Sequence, residues 1–575
     1  METITRRKFI QLSSATGAFL AIGCLPGAQG NEKLISGLVA DPSKVDLNQF
    51  ISIGKDNSIV LFNHRPEMGQ GTYQSIPMIL AEELEVNIDT IEIRQSIASR
   101  DLYGSQMVVG SRSIQSEFGK LRTMGAAARE LLKQAAANHW KVNVSQCKAS
   151  DGKVITESGK SLTYGELVEE AGKLTAPENP PLKKPSEFTI IGKSIPRKDI
   201  PLKTNGEAKF GIDISVPGML YASIERSPVF LGKVKSFNED AILKMPGVKY
   251  VFQTSREVFG QTREGVAVLA DNYWNASQAR KALKIEWDTQ GLEKVSGETI
   301  LMDSYEAAKN SGDELFGKGD VKAAFANAKS IHEATYETPY QAHVPMEPMN
   351  AIVSVKENEV EFWGSTQNPN GIRSFLAKTY QLSEESVKIN YTFMGGGFGR
   401  RSLTDVAEEA ADLSKKSGAP VKVIWTREDD QTQGPFRACS VNACRAVQDD
   451  KGKVTALEHK VIAQEIQNQT GNNMTAGRQL MGGINTDYLI PNLSVKGVLR
   501  KHHIPISYWR AVYHSTNPFA HESFIDELAH KAKADPIQFR LDMLEHPRYR
   551  RVLEAITEKT NWNNPKKPGT GRGVA

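Results

Sequence analysis

Apolar residues recur at intervals of three and four in three segments of the chain, the spacing at which side chains share one face of an α-helix. The apolar positions of these three predicted helices are Ile76, Ile79, Leu80 and Leu84; Phe118, Leu121, Ala128 and Leu132; and Val406, Ala410 and Leu413. In the third helix we expect Asp405 to form a capping box with Glu408, and we expect the helix to end at Gly418.

Apolar and polar residues alternate in 50–62, which predicts two strands joined by a turn at Asp56 and Asn57. A second hairpin turn is predicted at Asp151 and Gly152. Four prolines mark a linker at 175–189. The linker separates an N-terminal part, with an apolar segment at 1–30 and a strand-and-helix segment at 31–174, from a longer C-terminal part.

The loop 394–401 combines four glycines with one phenylalanine and two arginines. Gly395, Gly396, Gly397 and Gly399 let the backbone come close to a ligand, and paired arginines bind anionic oxygens. An anionic cofactor pressed against the main chain is therefore the first hypothesis, and a flexible surface loop is the alternative. The loop is not a G-x-G-x-x-G or P-loop motif, because Arg400 occupies the position of the required glycine and no Gly-Lys-Ser/Thr follows.

Three other turns have a similar composition. They are 67–72 (EMGQGT), 110–113 (GSRS) and 364–369 (GSTQNP), and the first two precede predicted helices. Each of them alone has the composition of an ordinary turn.

Together with 509–512 (WRAV), these segments resemble the large, molybdenum-binding subunit of the xanthine oxidase type molybdenum hydroxylases. The resemblance extends from about residue 49 to the C-terminus. It points in particular to the branch of the isoquinoline 1-oxidoreductase beta subunit, in which the GQG turn also precedes the GGGFG loop. It implies a multidomain α+β fold, with an α/β hammerhead domain at 190–290 between molybdopterin-binding parts at 31–174 and 291–575.

The resemblance also implies the roles of individual residues. Gln367 would bind an oxygen ligand of the molybdenum, Arg510 would lie beside the metal, and Glu347 would face the substrate unless it is a solvated or structural glutamate. Arg400 would serve either the anionic part of the cofactor or the fold of its own loop. The predicted cofactor-binding residues are Gly69, Gln70, Gly71, Gly110, Ser111, Ser113, Gly395, Gly396, Gly397, Phe398, Gly399 and Arg400. No side chain is predicted to coordinate the metal directly.

Composition restricts the partners. The net charge of +4, from 71 basic and 67 acidic residues, is too balanced to indicate a nucleic-acid partner. The four cysteines are Cys24, Cys147, Cys439 and Cys444, too few for the two iron-sulfur clusters that relay electrons in this family. We therefore expect a separate two-cluster iron-sulfur subunit and no cluster in this chain. The resemblance further implies that the chain holds no flavin and that its cofactor is molybdenum-molybdopterin, in the cytosine dinucleotide form.

The N-terminus resembles a twin-arginine export signal, since Arg6 and Arg7 precede an apolar run that is too short and too polar to span a bilayer. This predicts a periplasmic protein exported in the folded state. Cleavage near residue 30 and lipid anchoring through Cys24 are both compatible with the sequence.

The family's reaction is hydroxylation of an electron-poor carbon in an N-heteroaromatic ring or an aldehyde, with oxygen from water. Its proton acceptor is a glutamate in a Gly-x-Gly-Glu turn near the C-terminus, and the sequence contains no such turn. Three explanations are open: a separately encoded C-terminal segment, an inactive remnant, or a partial sequence. The function is then either that of a hydroxylase subunit or that of a non-catalytic pterin-binding or assembly protein.

Overall fold

A computed structural model of the chain describes residues 44–469, 476–565 and 567–575. The predicted export signal and Cys24 lie outside the described residues. The described part mixes helices and strands, as the predicted α+β class requires. None of its helices is both long enough and apolar enough to cross a membrane.

The N-terminal part packs helices on two small sheets. A four-stranded sheet in the order β1-β2-β3-β4 and a three-stranded sheet in the order β5-β6-β7 share one apolar core with the helices. The strands are β1 Lys44–Asn48, β2 Ile51–Gly54, β3 Ile59–Asn63, β4 Glu92–Gln95, β5 Cys147–Ser150, β6 Lys153–Thr156 and β7 Ser161–Thr163. The helices are α1 Thr72–Leu84, α2 Arg100–Tyr103, α3 Arg112–Gln115, α4 Phe118–Trp140 and α5 Tyr164–Ala171.

A seven-stranded sheet forms the middle of the molecule, in the order β10-β11-β8-β18-β15-β16-β17. Its strands are β8 Leu220–Arg226, β10 Val248–Val258, β11 Gln261–Ala270, β15 Asn350–Val355, β16 Val360–Gly364, β17 Val387–Tyr391 and β18 Val421–Ile424. The helices of this region are α6 Asp199–Asn205, α7 Glu239–Leu243, α8 Tyr273–Lys281, α11 Pro369–Tyr380, α12 Asp405–Ser417 and α13 Arg427–Thr432. Strands β9 Lys233–Phe237 and β12 Ile285–Asp288 form a separate pair. Because β8 pairs in parallel with β18, the sheet continues across the domain boundary that the sequence places near residue 290.

The C-terminal part is built on a five-stranded sheet in the order β13-β21-β20-β19-β14. Its strands are β13 Asp313–Lys318, β14 His332–Thr338, β19 Ser440–Gln448, β20 Val454–Ala463 and β21 Asn492–Leu499. The helices are α9 Gly297–Ala307, α10 Val321–Ala326, α14 Asn517–Lys531, α15 Pro536–Leu541 and α16 Pro547–Lys559. Cys147 and Cys444 are buried, and Cys439 is partly exposed; none of these three cysteines forms a disulfide.

Several local predictions are confirmed. Strands β2 and β3 flank Asn57, which has a φ of 67°, and Asp151 and Gly152 join β5 to β6 with φ angles of 47° and 73°. Helix α12 ends at Gly418, with a φ of 71°. The predicted capping box of α12 is wrong: the residue before the helix is Thr404, and no side-chain cap is formed.

Candidate functional site

The GQG turn is organised by a carboxylate that the sequence motifs did not single out. Glu67 is buried, and its Oε1 accepts hydrogen bonds from the N–H groups of Gly69 and Gly71, at 2.7 and 3.1 Å. Its Oε2 accepts from the N–H of Tyr73 at 2.9 Å, and its backbone carbonyl accepts from the N–H of Met394 at 3.1 Å. Glu67 therefore shapes the turn and joins it to the glycine-rich loop. A glutamate directly before Met-Gly-x-Gly was the available signal.

The side chain of Gln70 folds back on its own turn. Its Oε1 accepts from the N–H of Met68 at 2.7 Å, and its Nε2 donates to the carbonyl of Pro66 and to the hydroxyl of Thr72, both at 3.0 Å. Gly69 and Gln70 are exposed, so the turn presents its backbone rather than a free amide side chain. The side-chain amide of Gln70 is thus engaged within its own turn, and its contact with the cofactor stays a prediction.

Gln367 lies at the meeting point of three segments. Its Nε2 donates to the carbonyl of Val108 at 2.8 Å, and its Oε1 accepts from the N–H of Gly399 at 3.0 Å. The backbone of Gln367 forms two more bonds, accepting from the N–H of Val108 at 2.8 Å and donating to the carbonyl of Arg401 at 2.9 Å. These partners fix which end of the amide is oxygen, and they leave the second Nε2 hydrogen for another acceptor.

The glycine-rich loop contains close approaches and left-handed backbone. A Cβ on Gly397 would lie 2.5 Å from Gln367 Oε1, and one on Gly399 would lie 1.8 Å from the carbonyl oxygen of Tyr508. Gly396, Phe398 and Gly399 have φ angles of 95°, 55° and 100°. Left-handed backbone at a residue as bulky as phenylalanine costs about 1–3 kcal/mol, and such strain concentrates at functional sites.

Glu347 holds this loop from inside the protein. Its Oε2 accepts from the N–H of Gly395 at 2.9 Å and from the hydroxyl of Ser365 at 3.2 Å. Its Oε1 accepts from the N–H of Ile212 at 3.0 Å and from the amide of Asn350 at 2.9 Å. With its carboxylate buried and both oxygens engaged, Glu347 has the structural role that the sequence left open.

The two arginines of the loop are also buried. Arg400 forms a bidentate pair with Asp405, at 2.8 and 2.7 Å. Arg401 donates from Nε to the carbonyl of Gly396 at 3.0 Å and from a terminal nitrogen to the carbonyl of Glu347 at 2.6 Å. Arg400 therefore serves the fold of its own loop through its pair with Asp405, and its role as a cofactor-binding residue stays a prediction.

The turn 508–512 packs against the loop. Burial lowers the pKa of His343 to about 4, so the neutral ring donates from Nε2 to the carbonyl of Tyr508 at 3.0 Å. Ala511 and Val512 have φ angles of 70° and 52°. Arg510 is exposed, and within the described ranges its guanidinium has no hydrogen-bond or ion-pair partner.

The turn 108–113 completes the group of loops. Gly110 and Ser111 have φ angles of 61° and 58°. Ser111 and Arg112 are exposed, whereas Ser113 is buried. Arg112, which was not assigned a role from the sequence, also lacks a side-chain partner among the residues that the structure describes. The two hydrogen bonds between Val108 and Gln367 join this turn to the segment 365–369.

The structure thus joins segments 66–73, 108–113, 365–369, 394–401 and 508–512 through hydrogen bonds and close contacts. They offer exposed, left-handed backbone at Gly69, Gly110 and Ser111, and two exposed arginines that have no side-chain partner among the described residues. Glycine turns and arginines suit a large anionic cofactor that contacts main chain. No group of three or more His, Cys, Asp or Glu residues suited to a metal ion occurs in the described part of the chain. The exposed turn backbone and the two exposed arginines fit the anionic part of a molybdenum-pterin group.

Comparison with known proteins agrees with this site. Two models of a molybdopterin cofactor-binding domain match residues 12–214 and 305–544. The isoquinoline 1-oxidoreductase subunit beta of Brevundimonas diminuta is 29% identical, over 100% of this chain and 79% of that protein.

Two solved structures resemble the fold. The quinoline 2-oxidoreductase of Pseudomonas putida 86 matches with a TM-score of 0.53 and 19% identity, over 65% of this chain and 54% of that chain. The aldehyde oxidoreductase of Desulfovibrio gigas matches with a TM-score of 0.54 and 18% identity, over 69% of this chain and 50% of that chain. The chain thus corresponds to about half the length of each, and at these identities the likeness shows the fold alone.

Fold, loops and domain matches define the class: a molybdopterin-binding oxidoreductase subunit. Within this class, the chain belongs to the xanthine oxidase family of molybdenum hydroxylases, as a large subunit.

Proposed function

We propose that the chain binds molybdenum-molybdopterin, in the cytosine dinucleotide form, and hydroxylates N-heteroaromatic or aldehyde carbons with oxygen from water. Electrons would pass to a separate two-cluster iron-sulfur subunit. The observation that carries the proposal is the convergence of five separated segments at Gln367 and Gly399. The names of the similar proteins, which refer to isoquinoline, quinoline and aldehyde, support the substrate classes.

When bound, the cofactor supplies a redox-active Lewis acid that activates water and takes up two electrons from the substrate. The chain's own residues bind and orient it. Gln367 would donate its second Nε2 hydrogen to an oxygen ligand, and the backbone of Phe398 and Gly399 would lie against the metal's ligands. Arg112 and Arg510 would balance the cofactor's negative charge.

Glu347 is not assigned as the proton acceptor. Four donors already engage its two oxygens, so a proton on it would displace one of them. A glutamate in a Gly-x-Gly-Glu turn, as in the family's reaction, is the proposed base.

Metal content tests the binding. The protein purified from molybdenum-replete cells should contain near-stoichiometric molybdenum and pterin. Gln367→Ala removes the bonds to Val108 and Gly399 and should reduce the metal content several-fold, whereas Gln134→Ala, at an exposed position of α4, should not. A folded wild-type protein without molybdenum would contradict the proposal.

Turnover assays test the chemistry. With an iron-sulfur subunit and an electron acceptor, quinoline-type heterocycles and aldehydes should be hydroxylated far faster when a polypeptide bearing the Gly-x-Gly-Glu turn is added. A positioned base typically contributes about 10²–10⁴-fold. Rapid turnover without that polypeptide would show that the base is elsewhere. Molybdenum without turnover in either arm would support the alternative, a non-catalytic pterin-binding or assembly protein.

We also propose that the protein is exported to the periplasm by the twin-arginine route. The pair Arg6-Arg7 supports this, and Cys24 offers a position for a lipid anchor.

A further inference from the structure

A buried ionic cluster adjoins the glycine-rich loop through Arg400. Asp405 accepts both terminal nitrogens of Arg400 and also pairs with Arg256 of strand β10. Arg256 is fully buried and donates to the carbonyl of Gln433 at 2.7 Å as well. Asp405 is thus shared between the loop and a strand about 150 residues earlier in the chain.

Trp425 gives this cluster a fixed geometry. The guanidinium carbons of Arg226, Arg256 and Arg400 lie 4.3, 4.6 and 5.0 Å from its ring centroid. The indole is 1% exposed, and its Nε1 donates to Glu409 at 3.1 Å. Three cations on one buried ring have few alternative arrangements, because cation–π contacts and bidentate pairs are both directional.

The cluster is charged in the folded protein. Burial opposes ionisation of Asp405, but Arg400 and Arg256 outweigh it and lower the pKa of the carboxyl to about 2. Burial also lowers the pKa of Arg256, to about 10, which still leaves it protonated at neutral pH. Removing one member of such a cluster leaves an uncompensated charge in the interior.

The position of Arg400 determines the backbone conformation of the glycine-rich loop around it. Its N–H donates to the carbonyl of Gly397 at 2.9 Å, and the N–H of the preceding Gly399 donates to Gln367 at 3.0 Å. Anchoring the Arg400 side chain therefore restrains the backbone at Phe398 and Gly399, the residues proposed to contact the metal's ligands.

We propose that Arg256 is a positioning residue of the cofactor site: through Asp405 and Arg400 it fixes Phe398 and Gly399, and so makes the 190–290 segment part of the site's framework. The link to the cofactor depends on the proposed function, but the effect on the loop does not. Arg226 is a matched control. It lies on the same Trp425 ring and pairs with the buried Glu409 at 2.6 Å, but it does not contact Asp405.

The test is hydrogen exchange of the cofactor-free protein, read on a peptide covering 394–401. Four amides there are hydrogen-bonded, those of Met394, Gly395, Gly399 and Arg400. Arg256→Lys keeps the charge but loses the fork that spans Asp405 and Gln433. Arg256→Lys should accelerate exchange of this peptide at least tenfold. Arg226→Lys should lower the Tm by a similar amount but accelerate exchange of the peptide much less.

Molybdenum retention gives the second readout. Arg256→Lys should lower it at least fivefold relative to Arg226→Lys. Equal exchange rates of the 394–401 peptide in the two variants, or an exchange rate in Arg256→Lys that is unchanged from the wild type, would overturn the proposal. If Arg256→Lys does not fold, Asp405→Asn serves in its place and should accelerate exchange of the same peptide. A wild-type protein without molybdenum would defeat the proposed function and leave the exchange result to decide on Arg256.

Discussion

Gly399 has room for no side chain, because a Cβ there would lie 1.8 Å from the carbonyl oxygen of Tyr508. Gly399→Ala should therefore push the 508–512 turn off the loop and lower the molybdenum content roughly tenfold. Left-handed backbone alone costs alanine about 1–2 kcal/mol. Gly206→Ala controls for that cost, since Gly206 has a φ of 85° and no heavy atom within 4 Å of its would-be Cβ. Equal metal content in the two variants, measured by elemental analysis, would contradict the steric account.

A pair of buried histidines should make the fold sensitive to acid. His459 donates from Nε2 to Asn442 at 2.9 Å, and its Nδ1 lies 3.3 Å from Nδ1 of His521. Burial lowers the pKa of His521 to about 4, while an unfolded histidine has a pKa of about 6.5. The unfolded chain thus binds more protons between these values, so stability is lost as the pH falls from 6.5 towards 4, by about 3 kcal/mol in total for His521.

His521→Phe should remove part of this pH dependence. The difference in free energy of unfolding between pH 7 and pH 5 should become smaller, as measured by denaturant titration. Carboxylates that titrate in acid affect both proteins alike. His139→Phe, at an exposed position of α4, is the control and should keep the wild-type slope. An unchanged slope in His521→Phe would mean that the histidine pair does not titrate on unfolding.

Residue roles were predictable where they depend on backbone, and not where they depend on partners. Glycines in a motif imply close approach, and Gly397 and Gly399 show it. The charge on Arg400 suggested an anionic ligand, but its partner is Asp405, five residues later. For Glu347 and Arg400 the sequence left a structural role open, and only the distances select it. Glu67 was not singled out because the backbone N–H groups that it binds are not visible in the sequence, although its position directly before Met-Gly-x-Gly was a signal.

Element boundaries were predictable where the signal is local. Gly418 ends α12 because a left-handed residue is needed there, and Asn57 and Asp151 turn their hairpins for the same reason. The capping box at Asp405 failed for a non-local reason. Its carboxylate pairs with Arg400 and Arg256 and so is not available to the helix N-terminus.

The proline-rich linker is fastened to helix α1 by a buried carboxylate. Oε2 of Glu82 accepts from the N–H groups of Thr189, Ile190 and Ile191, at 3.0, 2.7 and 2.9 Å, and Lys183 donates to Oε1. Burial would raise the pKa of Glu82, but these hydrogen bonds hold it below its ordinary value. The linker is therefore docked along its C-terminal half.

Glu82→Gln should release the linker from helix α1. Hydrogen bonds to a charged group are worth about 1.5–3 kcal/mol, and each 1.4 kcal/mol is tenfold in an equilibrium. Trypsin cleavage after Lys183 should accordingly become at least tenfold faster; Lys184 is followed by Pro185 and is not a trypsin site. Glu178→Gln, at an exposed position of the same linker, should leave the rate unchanged. Equal rates in the two variants would show that Glu82 does not hold the linker.

At the scale of the whole molecule, the family resemblance predicted the class of fold. It did not predict that the seven-stranded sheet continues across the domain boundary near residue 290. Strand β8 pairs in parallel with β18, at Leu220 and Val421, some 200 residues apart. Nothing local in either strand selects that partner, because a short apolar strand fits many sheets. The convergence of the loops was likewise predictable only through the family, since their contacts join Glu67 to Met394 and Gly399 to Tyr508 across the chain.

The same long-range assembly bears on export. The proposed cofactor site exists only after segments from residue 66 to residue 512 have folded together, so the cofactor should be inserted before the protein leaves the cytoplasm. Twin-arginine export carries folded proteins and suits that order. Arg6→Lys combined with Arg7→Lys should therefore leave folded, molybdenum-containing protein in the cytoplasm, with periplasmic protein reduced at least tenfold, measured by fractionation and metal analysis. A Lys8→Arg variant keeps the arginine pair and should be exported normally. Undiminished delivery of the double variant would remove the basis for twin-arginine export, and retained protein without metal would place cofactor insertion after export.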